Sequence, residues 1–181
     1  MTTDAATMFF ALLAVGAQLA VLAALVLAVG GELSPRLGDL RARAAEAVGP
    51  QALVLGLVVA LVCTLGSLYL SEVAHFLPCR LCWYQRYAMY PLVPILAVAA
   101  WARWSRAWLA VLVIALLGGA ISAWHVLVER YPSLETGACD PDNPCSLIWV
   151  RRFGYLTIPT MALSGFALIA MLMLVARSTT D

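Results

Sequence analysis

Five long, charge-poor apolar stretches occupy most of this 181-residue chain, and they leave few folds open to it. They run from Ala5 to Gly31, Ala52 to Ser71, Trp83 to Ala102, Ala107 to about Val128, and Phe153 to Ala176. A bilayer core needs about 20 apolar residues as a helix. Backbone polar groups in lipid must be bonded within the segment, so the stretches predict transmembrane helices. Charged residues make up 12% of the chain, against about 25% in soluble domains, which leaves no room for a separate soluble domain. The net charge of +1 gives no nucleic-acid footprint. The fold class expected is an all-α membrane protein: a four-helix transmembrane bundle over residues 51–181, preceded by an extra transmembrane helix and an amphipathic loop over residues 1–50.

The first stretch has Asp4 and no positive charge before it, and it exceeds the roughly 7–15 residues of a signal-peptide core, so a retained helix is expected. Ala28-Val29-Gly30 leaves cleavage open. Between the first two spans, Leu37, Leu40, Ala44 and Val48 share a helical stripe, which predicts a short amphipathic helix at the inner surface. Arg36, Arg41, Arg43, Arg103, Arg106 and Arg177 fall on one side of the membrane; Arg80, Arg86, Arg130, Arg151 and Arg152 fall on the other. The first group marks the cytoplasmic side once Arg80 and Arg86 are set aside as part of a cysteine motif. The amino terminus and the polar loops with their cysteines are then extracytoplasmic, where disulfides persist. Trp83, Tyr84 and Tyr87 would lie at the outer interface, and Trp101, Trp104 and Trp108 at the inner one.

Four of the five cysteines form two close pairs beside the spans. Cys79-Arg80-Leu81-Cys82 follows Pro78 at the start of a helix, where free N–H groups and the helix dipole favour a thiolate. Cys139 and Cys145 flank a loop holding Pro141 and Pro144, in a turn-rich segment that also contains Pro132, Gly137 and Asn143. Two such pairs suit disulfide exchange; a structural staple or a zinc site using His75 or His125 are the blander readings of the second. Cys63 reads as a small buried hydrophobe. Arg86 lies four residues after Cys82 on the same helical face, able to lower its pKa or to bind a carbonyl oxygen, or else to snorkel to the headgroups. His125 would lie one turn below the outer surface, bonded to a ligand, relaying protons, or bonded to another helix. Arg151 and Arg152 read as contacts to lipid phosphates, or as groups near an acceptor or partner.

Pro78-Cys79-Arg80-Leu81-Cys82-Trp83-Tyr84-Gln85-Arg86 resembles the signature of the DsbB/BdbC family of membrane disulfide-forming oxidoreductases. The resemblance spans about residues 52–176, and the short second pair is similar to the compact Gram-positive branch. It implies that an extracytoplasmic thioredoxin-fold (DsbA-like) dithiol protein is oxidised and that a membrane quinone, menaquinone or ubiquinone, takes the electrons, with no metal or haem. By that resemblance Cys79 and Cys82 are the quinone-facing pair, with Cys82 the thiolate at the quinone and Arg86 orienting its oxygen; His125 is a further candidate for the quinone site. Cys139 and Cys145 are the partner-facing pair, with Cys139 forming the mixed disulfide and Cys145 linking back to Cys79. The setting implied is a multi-pass protein of the bacterial inner membrane with its carboxyl terminus in the cytoplasm. A vitamin K epoxide or quinone reductase, and a membrane scaffold or transporter subunit stapled by disulfides, are the alternatives; the order of the cysteines argues against the first of these.

Overall fold

The computed structural model describes residues 3–104, 106–135 and 139–178. Gly137 of the turn-rich loop lies outside them. The described residues form α1 (Thr3–Leu33), α2 (Pro35–Val48), α3 (Ala52–Leu68), α4 (Arg80–Trp101), α5 (Ala107–Arg130) and α6 (Ile158–Ser178). By length and composition α1, α5, α6 and the continuous run from α2 through α3 can cross a membrane. The polar side chains of Arg80, Gln85 and Arg86 dilute α4, which completes the bundle among the others. The protein is an all-α membrane bundle of four helices, α3 to α6, with α1 added outside it.

The bundle core is built from Leu92 and Leu96 of α4, Val111 and Ala115 of α5, and Phe166, Ile169 and Met173 of α6. Small residues set the closest approaches. A Cβ at Gly118 of α5 would come within 2.3 Å of the Phe166 ring. The bare Gly118 backbone is therefore the seat for the largest fully buried side chain. Transmembrane helices associate through such close fits because lipid offers no hydrophobic gain for merely leaving it.

The amphipathic segment is helical, and it runs through a 3-10 turn (Gly49–Gln51) into α3. At its other end α3 widens into a π-turn over Tyr69–Val73, and His75 then takes a positive φ of 57°. That reversal carries Phe76 to Pro78 back over the helix ends and delivers Cys79 as the N-cap of α4.

Two boundaries and one charge differ from the sequence reading. The last helix begins at Ile158 rather than Phe153, because Phe153 and Gly154 take φ values of 49° and 78° and Arg152 pairs with Leu156 across a turn. α5 continues through Arg130, which places Glu129 in its last turn. Arg152, expected to meet lipid phosphates, binds α1 instead: it donates to the Asp4 carboxylate, the Asp4 carbonyl and Thr7 Oγ1. Deeper down, Gln18 of α1 donates to Ser164 of α6 at 2.9 Å and accepts from the Tyr155 hydroxyl at 2.7 Å.

Gly118→Ala is expected to lower stability by about 1–3 kcal/mol through overpacking against Phe166. Gly16→Ala, with no atom within 4 Å of the new Cβ, should leave stability unchanged or raise it. Thermal unfolding of both variants in detergent checks the pair.

Candidate active site

Pro78 cannot donate a backbone hydrogen bond and has a fixed φ, so α4 starts directly after it. Cys79 is the N-cap, with extended backbone, and its Sγ accepts the Cys82 N–H at 3.3 Å. The helical turn then brings Cys82 Sγ to 2.9 Å from Cys79 Sγ, with both thiols free. Cys79 is 5% exposed, whereas Cys82 is less buried. The hydrogen bond from Cys82 holds the Cys79 thiol well below the usual range; His125 adds to the effect, and burial opposes it.

The two sulfurs face different surroundings. Cys79 packs with Leu81, Val128 and Cys145. Cys145 is joined to Cys139 by a disulfide. The loop is set in place by short-range bonds: the Asp142 N–H reaches the Asp140 carboxylate at 3.0 Å, and Asn143 donates to the Pro78 carbonyl at 3.3 Å. Glu135 accepts from the Cys145 N–H and from the Ser146 hydroxyl, so a carboxylate lies within 4.8 Å of both loop sulfurs.

His125 bridges the pairs. Its Nε2 lies 3.0 Å from the Cys145 carbonyl and 3.6 Å from Cys79 Sγ, and its Nδ1 lies 3.0 Å from Gln85 Nε2. The Cys145 carbonyl can only accept, so the ring hydrogen that reaches it is on Nε2. Cys79, Cys82 and His125 offer atoms within 4.8 Å of one another. Glu129, one turn after His125, accepts from the Thr157 hydroxyl at 2.6 Å.

Cys82 opens onto a cavity of about 320 Å³. Its walls are almost wholly apolar, with Val59, Val62, Met89 and Ile158 among them, and its polar groups gather around Cys82, Gln85, Arg86, Ser67 and Tyr90. Arg86 is 9% exposed and does not snorkel. Its Nε donates to Ser67 Oγ at 3.0 Å, its Nη2 donates to the Ser67 carbonyl at 3.1 Å, and the guanidinium lies 5.2 Å from the Trp83 ring centroid. Tyr90 also donates to Ser67 Oγ, at 3.3 Å. Cys63 lines the same cavity farther along α3. Phe76 and Trp149 stack at 5.3 Å and border it toward the cysteine end.

A profile for the disulfide bond formation protein DsbB matches residues 50–176. The chain belongs to the DsbB family. It is similar to disulfide bond formation protein C of Bacillus subtilis, at 44% identity over 117 residues, covering 64% of this chain and 85% of that protein. It is 41% identical over 109 residues to a probable disulfide formation protein of Oceanobacillus iheyensis, covering 59% and 75% of the two chains. A probable disulfide formation protein of Metapseudomonas resinovorans is 36% identical over 132 residues, covering 71% and 90%. No solved structure matches the chain. As a member of the DsbB family, this protein is a disulfide-forming oxidoreductase of a membrane.

The geometry brings Cys79, Cys82, Cys139, Cys145 and His125 together, and puts Arg86 at the cavity beside Cys82. His125 is not among the cavity's lining residues; it faces Cys79 and the loop. Sequence reasoning passed over Ser67, Gln85, Glu129 and Glu135. The spacing held a signal for two of them: Gln85 is three residues after Cys82, and Glu129 four after His125. Ser67 and Glu135 meet their partners only through the tertiary fold.

Because the Cys79 pKa is lowered, its thiolate persists as pH falls through the ordinary thiol range. Exchange between the reduced Cys79–Cys82 pair and a small disulfide should therefore stay fast at neutral pH in the DsbB-family protein. In His125→Ala the acid limb of the rate profile should move to higher pH, only part of the way, since the Cys82 hydrogen bond remains. Stopped-flow exchange rates across pH check this; an unmoved limb would remove His125 from the thiolate's support.

Proposed function

We propose that this DsbB-family protein oxidises an extracytoplasmic thioredoxin-fold (DsbA-like) dithiol protein and delivers the electrons to a membrane quinone, menaquinone or ubiquinone. The observation that carries the reading is the two-sided placement of the C-x-x-C pair: Cys79 against the loop disulfide, Cys82 against an apolar cavity with a cationic, hydrogen-bonding end.

The partner's thiolate attacks Cys139, and its second thiol releases the partner as a disulfide. The Cys139–Cys145 dithiol then reduces the Cys79–Cys82 disulfide through Cys145, whose sulfur packs against Cys79. In each exchange one disulfide breaks, another forms, and a pair of electrons moves with them. A quinone bound in the cavity would supply the two-electron acceptor, taking up two protons with the electron pair. Its fit rests on the chemistry of the donor set: Ser67 takes Nε and Nη2 of Arg86, and Nη1 has no protein partner among the described residues and is left for a ring oxygen. Cys82, at the cavity wall, would present its sulfur to the ring, and Cys79 would close the disulfide behind it. His125, bonded to Gln85 and facing Cys79, holds a proton position beside the sulfur that must change its protonation in each cycle. The cysteine end is then extracytoplasmic and the carboxyl terminus cytoplasmic.

Quinone reduction started by a reduced thioredoxin-fold protein, in detergent or liposomes, tests the reading. Cys82→Ser should abolish turnover. Arg86→Lys should lower kcat/KM for quinone by about 10–100-fold, because an ammonium cannot hold both Ser67 oxygens in a planar fork and still present a third donor. Retained turnover in Cys82→Ser would overturn the relay through Cys82, whereas no turnover with any quinone and partner tried, and cysteine pairs inert to exchange, would favour the disulfide-stapled scaffold.

A further inference from the structure

The cavity beside Cys82 is not closed by the family-matched helices alone. α1 lies outside the matched residues 50–176, yet Phe10, Leu13, Ala14 and Ala17 line the cavity. Their spacing is i, i+3, i+4 and i+7, a single helical face. The opposite face, with Leu12, Leu19, Leu22 and Val26, is exposed in the protein and suits lipid. α1 is thus two-sided, with one stripe turned toward the redox site and the other toward the bilayer.

Its seat is specific. Ala11 and Ala14 pack on Leu156, with Met161 beside them. Polar tethers lie on either side of Phe10 along the helix: Arg152 on Asp4 and Thr7 toward one end, Gln18 on Ser164 and Tyr155 toward the other. Phe10 itself reaches across to α3. A Cβ at Gly66 would meet its ring at 3.0 Å, and the Tyr69 ring lies 6.4 Å away, centroid to centroid. The residue after Gly66 is Ser67, the one that holds Arg86. Phe10 is therefore placed at the polar end of the cavity, where the acceptor's ring would sit, and not along the apolar run suited to a tail.

We propose that α1 is a wall of the electron-acceptor site and that Phe10 is its ring-contacting residue, setting affinity for the quinone ring without taking part in thiol exchange. This rests on the quinone reading above. A flat, electron-poor ring packs well against an aromatic face or edge, and such contacts are worth a measurable part of a small ligand's affinity. Gly66 has no side chain, and this lets the phenyl ring come that close to α3.

The test uses the full chain in detergent, with a short-chain benzoquinone and menadione as acceptors and a reduced thioredoxin-fold protein as donor. Phe10→Ala should raise the quinone KM by about 10-fold while kcat stays within about twofold. Exchange between the donor and the loop disulfide, followed in one turnover without quinone, should match the wild type. Leu22→Ala, on the lipid face of the same helix, should change none of these. An unchanged KM in Phe10→Ala, with turnover still lost in Cys82→Ser, overturns the role of α1 and leaves the quinone reading standing. Turnover that survives Cys82→Ser overturns the quinone reading itself. If Phe10→Ala fails to fold, Phe10→Leu carries the same measurement; a loss of kcat and of thiol exchange alongside any rise in KM in that variant marks a merely structural residue and also overturns the proposal.

Discussion

A guanidinium has been carried into an apolar bundle, and the surroundings of Arg86 are arranged around keeping it there. Inserting arginine at the middle of a membrane helix costs about 2.5–3.5 kcal/mol on insertion scales, an upper bound for Arg86 in the second turn of α4. Each hydrogen bond to a charged group returns about 1.5–3 kcal/mol, and a desolvated cation–π contact up to about 2. The two bonds to Ser67 and the Trp83 ring are thus of the size needed to offset the cost. They also fix the geometry. Ser67 stands two residues before the π-turn that ends α3, and Arg86 stands one turn after Cys82 on α4, so this pairing sets the relative height of the two helices at the cysteine end. The reversal at His75 and the N-cap at Cys79 lie on the short path between them.

From that fixed height the two thiol pairs acquire their order. Cys79 and Cys82 are neighbours on one face of the first helical turn, their sulfurs 2.9 Å apart, with Cys79 on the side of the loop and Cys82 at the edge of the cavity. His125 on α5 closes the loop side, bonding at once to a backbone carbonyl of the loop and to Gln85 of α4. Glu135 braces the Cys145 backbone from beyond. The arrangement separates the loop disulfide from the apolar chamber while keeping the sulfurs in one cluster.

Much of this could be read in advance from local chemistry. Apolar length announced the helices, Pro78 announced the start of α4, and the spacing of four placed Arg86 with Cys82. Legibility failed where partners are distant in the chain or where apolar residues leave a helix. Phe153, Tyr155 and Leu156 look like the start of a span, but positive φ at Phe153 and Gly154 makes them a turn. Arg152 resembles a headgroup anchor until Asp4, 148 positions away, comes beside it. The chamber side of α1 was hidden for a related reason: with alanine, leucine and valine on every face, its sequence does not say which stripe meets protein and which meets lipid.

Both thiol pairs, His125 and the cationic end of the chamber lie at one end of the bundle. Charge handed among them moves along the plane of the bilayer and not through its thickness. Crossing would expose each elementary charge to about 2.3 kcal/mol for every 100 mV of transmembrane potential. The proposed redox cycle, confined to one end, would avoid that field, so an energised membrane would neither drive it nor hold it back. Only the relative potentials of the thiols and of the proposed acceptor would set its direction.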